Sequence, residues 1–299
     1  MKVLLLLCIL LSLPTPAQGM QVRWQTTDYT MEAILQVVAG DLTGDGQDEL
    51  VLLGRNYERR EVFIDILTWN GREFTRLWRS NNLYVPTSHV IMGLGRFTGE
   101  DLQLVVIDRT KSVIFGVQGE RLIPIWQGAP PGEPHLMGVL DERYLVLSQV
   151  AELKLDTVVE KLAVYAWDDG WHLKGESGSI GRIRALAPGK GQIAVEVGLG
   201  TKAGEVQIWD WQPRWRLAGK TTVSNTAAFA LTYWRDCWVV ADDRGIAAAY
   251  DFSSQPPRLQ GRSSGLGWAL VDATAINLPT GQMLIVAGYP NRLYLLGGY

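Results

Sequence analysis

Four acidic side chains crowd into the stretch GDLTGDGQDELVLLG, residues 40–54. Asp41, Thr43, Asp45, Gln47 and Glu49 fall at alternating positions 1, 3, 5, 7 and 9, and the glycine at position 6 permits a sharp turn. Oxygen donors in this order are typical of a calcium loop, because Ca²⁺ takes about six to eight oxygen ligands in flexible geometry. We predict one structural Ca²⁺ held by the three carboxylates, by the Thr43 hydroxyl or a bridging water, and by the Gln47 carbonyl.

The loop departs from an EF-hand at position 12, where Leu52 replaces the bidentate glutamate. We therefore expect a calcium loop inside a β-hairpin that closes as Leu50 and Val51 return to the core. Asp48 alternates to the other side and is expected to face solvent. The alternative is a plain Asp-Gly turn without metal, although such a turn does not require carboxylates at positions 1, 5 and 9.

The elements that position this loop repeat along the chain. A short apolar strand, a turn and a second apolar strand recur six times, and the second strands begin at intervals of 41–54 residues. A third strand, a turn and a fourth strand follow the hairpin in most repeats, and no amphipathic helical window interrupts them. Four strands per repeat at this period predict an all-β chain folded as a β-propeller.

The two ends of the chain predict how the ring closes. The last repeat, which ends in RLYLLGGY, lacks a fourth strand, and residues 21–27 near the start resemble one without a hairpin partner. We expect the mature N-terminal strand to complete the last repeat and close a six-bladed ring, since an open ring leaves unpaired sheet edges. Seven blades is the alternative count, and a disordered N-terminus beside an incomplete last blade is the alternative to closure.

The stretch VVAGDLTGDGQDELVLL resembles an FG-GAP or VCBS repeat, the blade pattern of integrin α-chain propellers and of many secreted bacterial propellers. Asp41, Asp45, Gly46, Glu49 and Leu50 match its pattern D-x-[DN]-x-D-G-x-x-[DE]-L over about eighteen residues. The resemblance implies a blade whose first hairpin carries Ca²⁺. A threonine at position 3 and a glutamate at position 9 replace commoner ligands, which implies weaker affinity.

The other repeats lack the ligand set, so we predict one calcium site. The second repeat has Arg96 at the first ligand position, and the last repeat offers only Asn277. Extracellular calcium modules bind at roughly 10⁻⁴–10⁻³ M, which suits a structural role rather than a catalytic one.

The first nineteen residues read as a secretory signal peptide. A lysine, an apolar run and the small residues of PTPAQG follow in the required order, which predicts cleavage after Gly19. The apolar run is shorter than the roughly 20 residues of a membrane-spanning helix, the alternative reading. We therefore predict a single propeller domain over residues 20–299 that is secreted, periplasmic or held at the cell surface.

The composition of the chain argues against some classes of partner. The net charge of −3 argues against nucleic acid, which favours clustered Lys and Arg. The sequence contains no second apolar span, so we expect no insertion into a membrane. Cys237 is the only cysteine beyond the leader, so no internal disulfide is expected. We expect a monomer.

No catalytic constellation stands out in the sequence. His89, His135 and His172 are isolated and are expected to be structural, while the acid pairs 168–169 and 242–243 are expected to be solvated turn residues. Most tryptophans of the third and fourth strands are expected to pack in the core, with an exposed subset in a ligand groove as the alternative; these residues are Trp69, Trp78, Trp126, Trp167, Trp171, Trp209, Trp211 and Trp215.

Taken together, these patterns predict a non-catalytic binding, adhesion or scaffold module for a protein or glycan partner, recognised through loops on one face of the ring. The alternative is a phosphatase-like hydrolase with its site in the central channel, an analogy of fold alone.

Overall fold

A computed structural model of the chain describes residues 18–26, 33–81, 83, 90–119, 121–154, 157–198, 204–212, 214–223 and 228–298, and within these ranges the secondary structure is β-strand. The first strands are β1 Gln18–Thr26, β2 Ala33–Gly40, β3 Glu49–Asn56, β4 Glu61–Trp69, β5 Phe74–Arg79, β6 Ile91–Gly95, β7 Gln103–Ile107, β8 Ser112–Gln118 and β9 Arg121–Gly128. The next eight are β10 Pro134–Leu140, β11 Tyr144–Lys154, β12 Thr157–Trp167, β13 Trp171–Glu176, β14 Ile183–Pro188, β15 Gln192–Gly198, β16 Gly204–Asp210 and β17 Arg216–Val223. The last seven are β18 Ala228–Trp234, β19 Cys237–Asp242, β20 Ala247–Asp251, β21 Arg258–Ser263, β22 Leu270–Leu278, β23 Gly281–Gly288 and β24 Arg292–Gly297.

The strands group into antiparallel units of four. Units 1 to 4 are the separate sheets β2–β5, β6–β9, β10–β13 and β14–β17. Unit 5 (β18–β21) and unit 6 (β22–β24 with β1) share one eight-stranded sheet, because β1 pairs with a strand of each. The first strand of each unit contacts the first strand of the next, and β22 of unit 6 contacts β2 of unit 1. This arrangement confirms the predicted all-β propeller.

The second and third strands of the units carry the core. Strands β3, β7 and β19 are buried along almost their whole length, and their sequences are correspondingly near-continuous apolar runs. Because neighbouring units pack face to face, these strands are covered on both faces and cannot show the alternation of a half-exposed strand. The fourth strands, such as β9 and β13, are mostly exposed at the rim of the disc.

The antiparallel order divides the turns between two faces of the disc. We call one the first-hairpin face; it carries the turns between first and second strands and between third and fourth strands. The other, the connector face, carries the turns between second and third strands and the links between units. The acidic loop 41–48 joins β2 to β3 and lies on the first-hairpin face. Within the described residues, no helix is long and apolar enough to cross a membrane.

Strand β1 joins units 5 and 6. Gln21 to Thr26 run antiparallel to β24, whereas Gln18 to Met20 run parallel to β21. Met20 is only 4 % exposed and packs in a cluster that includes Trp234 of unit 5 and Leu296 of unit 6. The strand therefore begins before the predicted leader boundary after Gly19.

We predict that Met20→Ala destabilises the chain by about 2–4 kcal/mol, because it removes a buried side chain between two units. Val22→Ala, in the same strand but 40 % exposed, should cost less than about 1 kcal/mol. Urea unfolding of both variants measures the difference, and equal midpoints would show that β1 does not contribute core packing at this position.

Candidate functional site

The acidic loop folds around the side chain of Asp41. Its Oδ1 accepts hydrogen bonds from the backbone N–H groups of Gly44 (2.8 Å) and Asp45 (3.0 Å), and its Oδ2 accepts one from Gly46 (3.0 Å). Asp45 Oδ1 in turn accepts from the Gln47 N–H at 2.9 Å. The predicted turn at Gly46 is present, with a φ of 87° that favours glycine.

Glu49 closes the loop by accepting hydrogen bonds from its first residues. Its side chain is buried, with Oε2 accepting from the N–H groups of Leu42 (2.9 Å) and Thr43 (3.1 Å) and Oε1 accepting from the Thr43 hydroxyl (3.2 Å). Burial raises the pKa of the Glu49 carboxyl above its usual range, and the hydrogen bonds from Thr43 and Leu42 oppose that shift. Glu49, the first residue of β3, therefore anchors the start of the loop.

Asp48 is half-buried and bonded to the neighbouring unit, whereas the sequence analysis expected it to face solvent. Its Oδ2 accepts hydrogen bonds from the backbone N–H (2.6 Å) and the side-chain amide (2.9 Å) of Asn277 in unit 6. Burial raises the pKa of the Asp48 carboxyl, and these bonds lower it. The reason for the difference is that a position alternating away from the loop points toward the neighbouring unit rather than toward water.

The five predicted ligands offer the oxygen donors that Ca²⁺ prefers, but the structure turns their carboxylates toward the amides of the loop. Asp41, Thr43, Asp45, Gln47 and Glu49 all lie in or beside one turn. In the described ranges, no group of three or more His, Cys, Asp or Glu side chains is arranged to hold a metal ion. Each carboxylate oxygen that accepts one hydrogen bond retains a second lone pair, so the donor chemistry suits a cation.

Polar links join neighbouring units across the first-hairpin face at five of the six boundaries. Each link pairs a residue of one first-strand turn or its flank with a residue of the adjacent unit. The links are Asp48–Asn277, Arg96–Glu142, Asp141 with the Gly191 N–H, Lys190–Asp236 and Arg235–Gln282. The boundary between units 1 and 2 is instead apolar, because Leu102 packs so close to Gly40 that a Cβ there would lie 2.6 Å from it.

The first strands line a narrow central channel, whose cavities of about 130 and 230 Å³ are below the roughly 300–1,000 Å³ of typical small-molecule sites. Inner-strand amides at its wall are capped by side chains of the neighbouring unit. The Val37 N–H donates to Asp272 Oδ2 at 2.7 Å, and the Met92 N–H donates to Gln36 Oε1 at 2.8 Å. Burial raises the pKa of the Asp272 carboxyl to about 7, against the hydrogen bonds from Val37 and Ala273.

The described histidines have local partners. His135 Nδ1 lies 3.3 Å from the buried carboxylate of Glu160, and His172 Nε2 contacts the Asp168 carbonyl at 2.9 Å. His89 lies outside the described residues. Of the acid pairs, Asp168 and Asp169 are exposed as predicted, while Asp242 is buried and accepts from the Arg244 and Ile246 N–H groups to close a turn.

The predicted packing role of the tryptophans in the third and fourth strands is confirmed. All eight pack against core clusters. Several meet edge to face, as in the contacts of Trp167 with Trp126 (4.6 Å between ring centroids) and with Trp171 (5.0 Å).

Large exposed apolar side chains separate into two groups. Six lie on fourth strands at the rim, namely Val22, Ile123, Ile125, Leu173, Leu217 and Leu259. Four lie on the connector face, namely Tyr57, Leu153, Trp268 and Tyr289, and they include all the exposed large aromatic residues of the described ranges. Among the described residues, no exposed large apolar side chain lies on the first-hairpin face. No repeat or motif of the sequence marks these four residues.

The aromatic residues of the connector face cluster in two adjacent units. Tyr57 follows β3 in unit 1, Tyr289 follows β23 in unit 6, and Trp268 lies in the link that enters unit 6. The Ile34 N–H of unit 1 donates to the Pro290 carbonyl of unit 6 at 2.8 Å, which ties the two units together beside these turns. We call Tyr57, Trp268 and Tyr289 the aromatic sector.

No protein-family model and no curated protein matches the chain. Solved structures that resemble it include the C-terminal WD40 domain of Sif2, with a TM-score of 0.56, 10 % identity and coverage of 95 % of this chain and 100 % of that one. BBS1N, crystallised in complex with ARL6DN, gives a TM-score of 0.61, 13 % identity and coverage of 94 % and 97 %. Sqt1 of Saccharomyces cerevisiae gives 0.52, 9 %, 95 % and 99 %. At such low identity these neighbours show the β-propeller fold alone.

We predict that Asp272 makes the chain less stable as pH rises from about 4 to about 7. The folded pKa of about 7 lies above the unfolded value of about 3.9, so the folded state binds more protons between these pH values. The contribution of Asp272 is therefore fully present below about pH 4 and is lost as pH rises through about 7.

Replacing Asp272 with asparagine should flatten the dependence of unfolding free energy on pH over this window by about 1–3 kcal/mol. Urea unfolding at a series of pH values measures it, with the exposed Asp168→Asn as control. If both variants keep the wild-type slope, the Asp272 carboxyl does not titrate in this window.

Proposed function

We propose that the chain is an exported, non-catalytic binding module that recognises a protein partner through its connector face. The observation that carries the proposal is the distribution of exposed apolar side chains. On the two flat faces of the described structure, those side chains occur only on the connector face, and three of the four are aromatic. Exposed aromatic clusters on a rigid scaffold are typical of protein-binding hot spots.

Stacked arginines order two of these rings before any partner arrives. The guanidinium carbon of Arg55 lies 5.0 Å from the Tyr57 ring centroid, and that of Arg292 lies 4.8 Å from the Trp268 centroid. A ring held in place loses little conformational freedom on binding, so more of its contact energy contributes to affinity.

The fold neighbours support the class of partner by analogy. The structure of BBS1N is a complex with ARL6DN. A propeller of this general shape therefore binds a protein partner in that case, and we propose the same class of partner here.

Export and ring closure are part of the same proposal. We propose a six-bladed ring closed by β1, supported by the pairing of β1 with β24 and by the packing of β22 against β2 across the ends of the chain. We propose that the leader predicted over residues 1–19 directs export and that β1 lies at the start of the mature chain. The resemblance of unit 1 to FG-GAP and VCBS repeats agrees with an exported propeller.

We also propose that Ca²⁺ binds the acidic loop and stiffens the first-hairpin face. The support is the ligand spacing, together with the lone pairs that remain on Asp41, Asp45 and Glu49. At millimolar calcium an extracellular-type site would add about 0.5–1.5 kcal/mol, which suits a stabilising role.

Titration of the metal-free chain with millimolar calcium should raise Tm by about 1–5 °C, because the ion binds only the folded loop. Asp41→Asn/Asp45→Asn should abolish the rise, whereas Glu100→Gln/Asp101→Asn, in the corresponding turn of unit 2, should keep it. A wild-type Tm that stays constant to within about a degree would remove calcium from the account.

The binding proposal predicts that Tyr57→Ala/Trp268→Ala/Tyr289→Ala lowers affinity for the partner by about tenfold or more, through loss of hot-spot contacts. Affinity capture from an extracellular or periplasmic extract identifies the partner, and titration calorimetry with the purified partner measures the loss. The matched control is the rim variant Ile125→Ala/Leu173→Ala/Leu217→Ala. If the rim variant loses affinity and the sector variant keeps it, recognition does not use the connector face.

A further inference from the structure

We propose that the partner presents an acidic peptide segment with a bulky apolar residue to the aromatic sector. This inference rests on the proposed function, and it specifies the chemistry of the occupant. It is carried by four arginines that lie in or beside the same turns as the aromatic rings.

Four arginines lie in or beside the turns of the aromatic sector. Arg55, Arg59 and Arg60 belong to the end of β3 and the turn that follows it, and Arg292 opens β24 directly after the turn of Tyr289. Arg59 and Arg60 are exposed in that turn. The sector thus combines aromatic side chains with guanidinium groups on one face of two adjacent units.

These four guanidinium groups pair with no carboxylate of the described ranges. Three other arginines at turns, Arg96, Arg216 and Arg244, are paired with Glu142, Asp210 and Asp242. An arginine donor without an acceptor leaves room for a carboxylate supplied by another molecule.

The local charge contrasts with that of the whole chain. Residues 55–61 and 289–292 contain four arginines and two glutamates, so these described turns carry +4 − 2 = +2, whereas the full chain carries −3. A positive patch on an acidic protein attracts acidic partners and opposes association with a second copy of the chain.

The arginines that lie over the rings also suggest how the site would bind an acidic segment. A guanidinium that lies over a ring can still direct N–H groups at a carboxylate, which accepts two parallel hydrogen bonds. The exposed part of each ring, 52 % of Tyr57 and 42 % of Trp268, is then available to an apolar side chain. Arg55 with Tyr57 and Arg292 with Trp268 repeat this arrangement on neighbouring units.

The backbone around the sector is fixed by hydrogen bonds between loops. The Tyr289 N–H donates to the Ala269 carbonyl at 2.8 Å, and the Leu266 N–H donates to the Gly245 carbonyl at 2.8 Å. The Tyr294 hydroxyl donates to the Leu266 carbonyl at 2.9 Å. The backbone beside Trp268 and Tyr289 is therefore held in place by the fold, as a recognition surface requires.

The test uses a random peptide library displayed on phage, panned against the full mature chain and counter-selected against Tyr57→Ala/Trp268→Ala/Tyr289→Ala. We expect the selected peptides to be enriched in Asp and Glu around one bulky apolar residue. Binding of the synthetic peptides, measured by fluorescence polarisation, should weaken about tenfold or more in Arg59→Glu/Arg60→Glu and should weaken as salt rises from about 50 to about 500 mM.

The matched control is Arg72→Glu/Arg121→Glu, which makes the same charge change at exposed positions of the first-hairpin face and should alter affinity by less than about twofold. Equal urea midpoints of the two charge variants show that folding is intact. Peptides that need Trp268 but are indifferent to Arg59, Arg60 and salt overturn the acidic segment and leave the binding face standing. If no peptide distinguishes the sector variant from wild type, both proposals fail.

Discussion

Every unit of the described structure meets its neighbours through a first strand whose channel-facing edge has no strand partner. The N–H groups of that edge are buried against the channel and must find acceptors in the next unit. Val37 uses the carboxylate of Asp272, Met92 uses the amide of Gln36, and Ile183 uses Glu160 Oε2 at 2.6 Å. These side chains fix the spacing of the units, so the turns at both ends of the strands inherit a defined geometry.

The two faces of the disc then take different roles. The first-hairpin face holds the polar links between units, including the bond of Asp48 to Asn277, and it carries the acidic loop. The connector face holds the exposed aromatic rings and the guanidinium groups of Arg55 and Arg292. The proposed recognition on the connector face rests on this difference, because exposed aromatic residues and arginines are typical of binding hot spots.

The sequence predicts the fold well because the apolar second strands recur at a regular interval along the chain. The second strands predicted near Leu50 and Leu104 begin at Glu49 and Gln103, since burial on both faces demands continuous apolar runs. Contacts between distant repeats leave no such trace. The bond of Asp48 to Asn277 joins residues from opposite ends of the chain, and nothing local marks it. The tight turn at Arg235 and Asp236 uses positive φ at non-glycine residues, which turn rules based on glycine miss.

The central claim is that partner recognition takes place on the connector face of a rigid propeller. Hydrogen–deuterium exchange of the chain with and without its bound partner tests it most directly. The account predicts new protection in residues 57–60, 264–269 and 289–292, with unchanged exchange in the acidic loop 41–48 and in the rim strand β9. Protection of the loop 41–48 or of β9, with the connector turns unaffected, would contradict it.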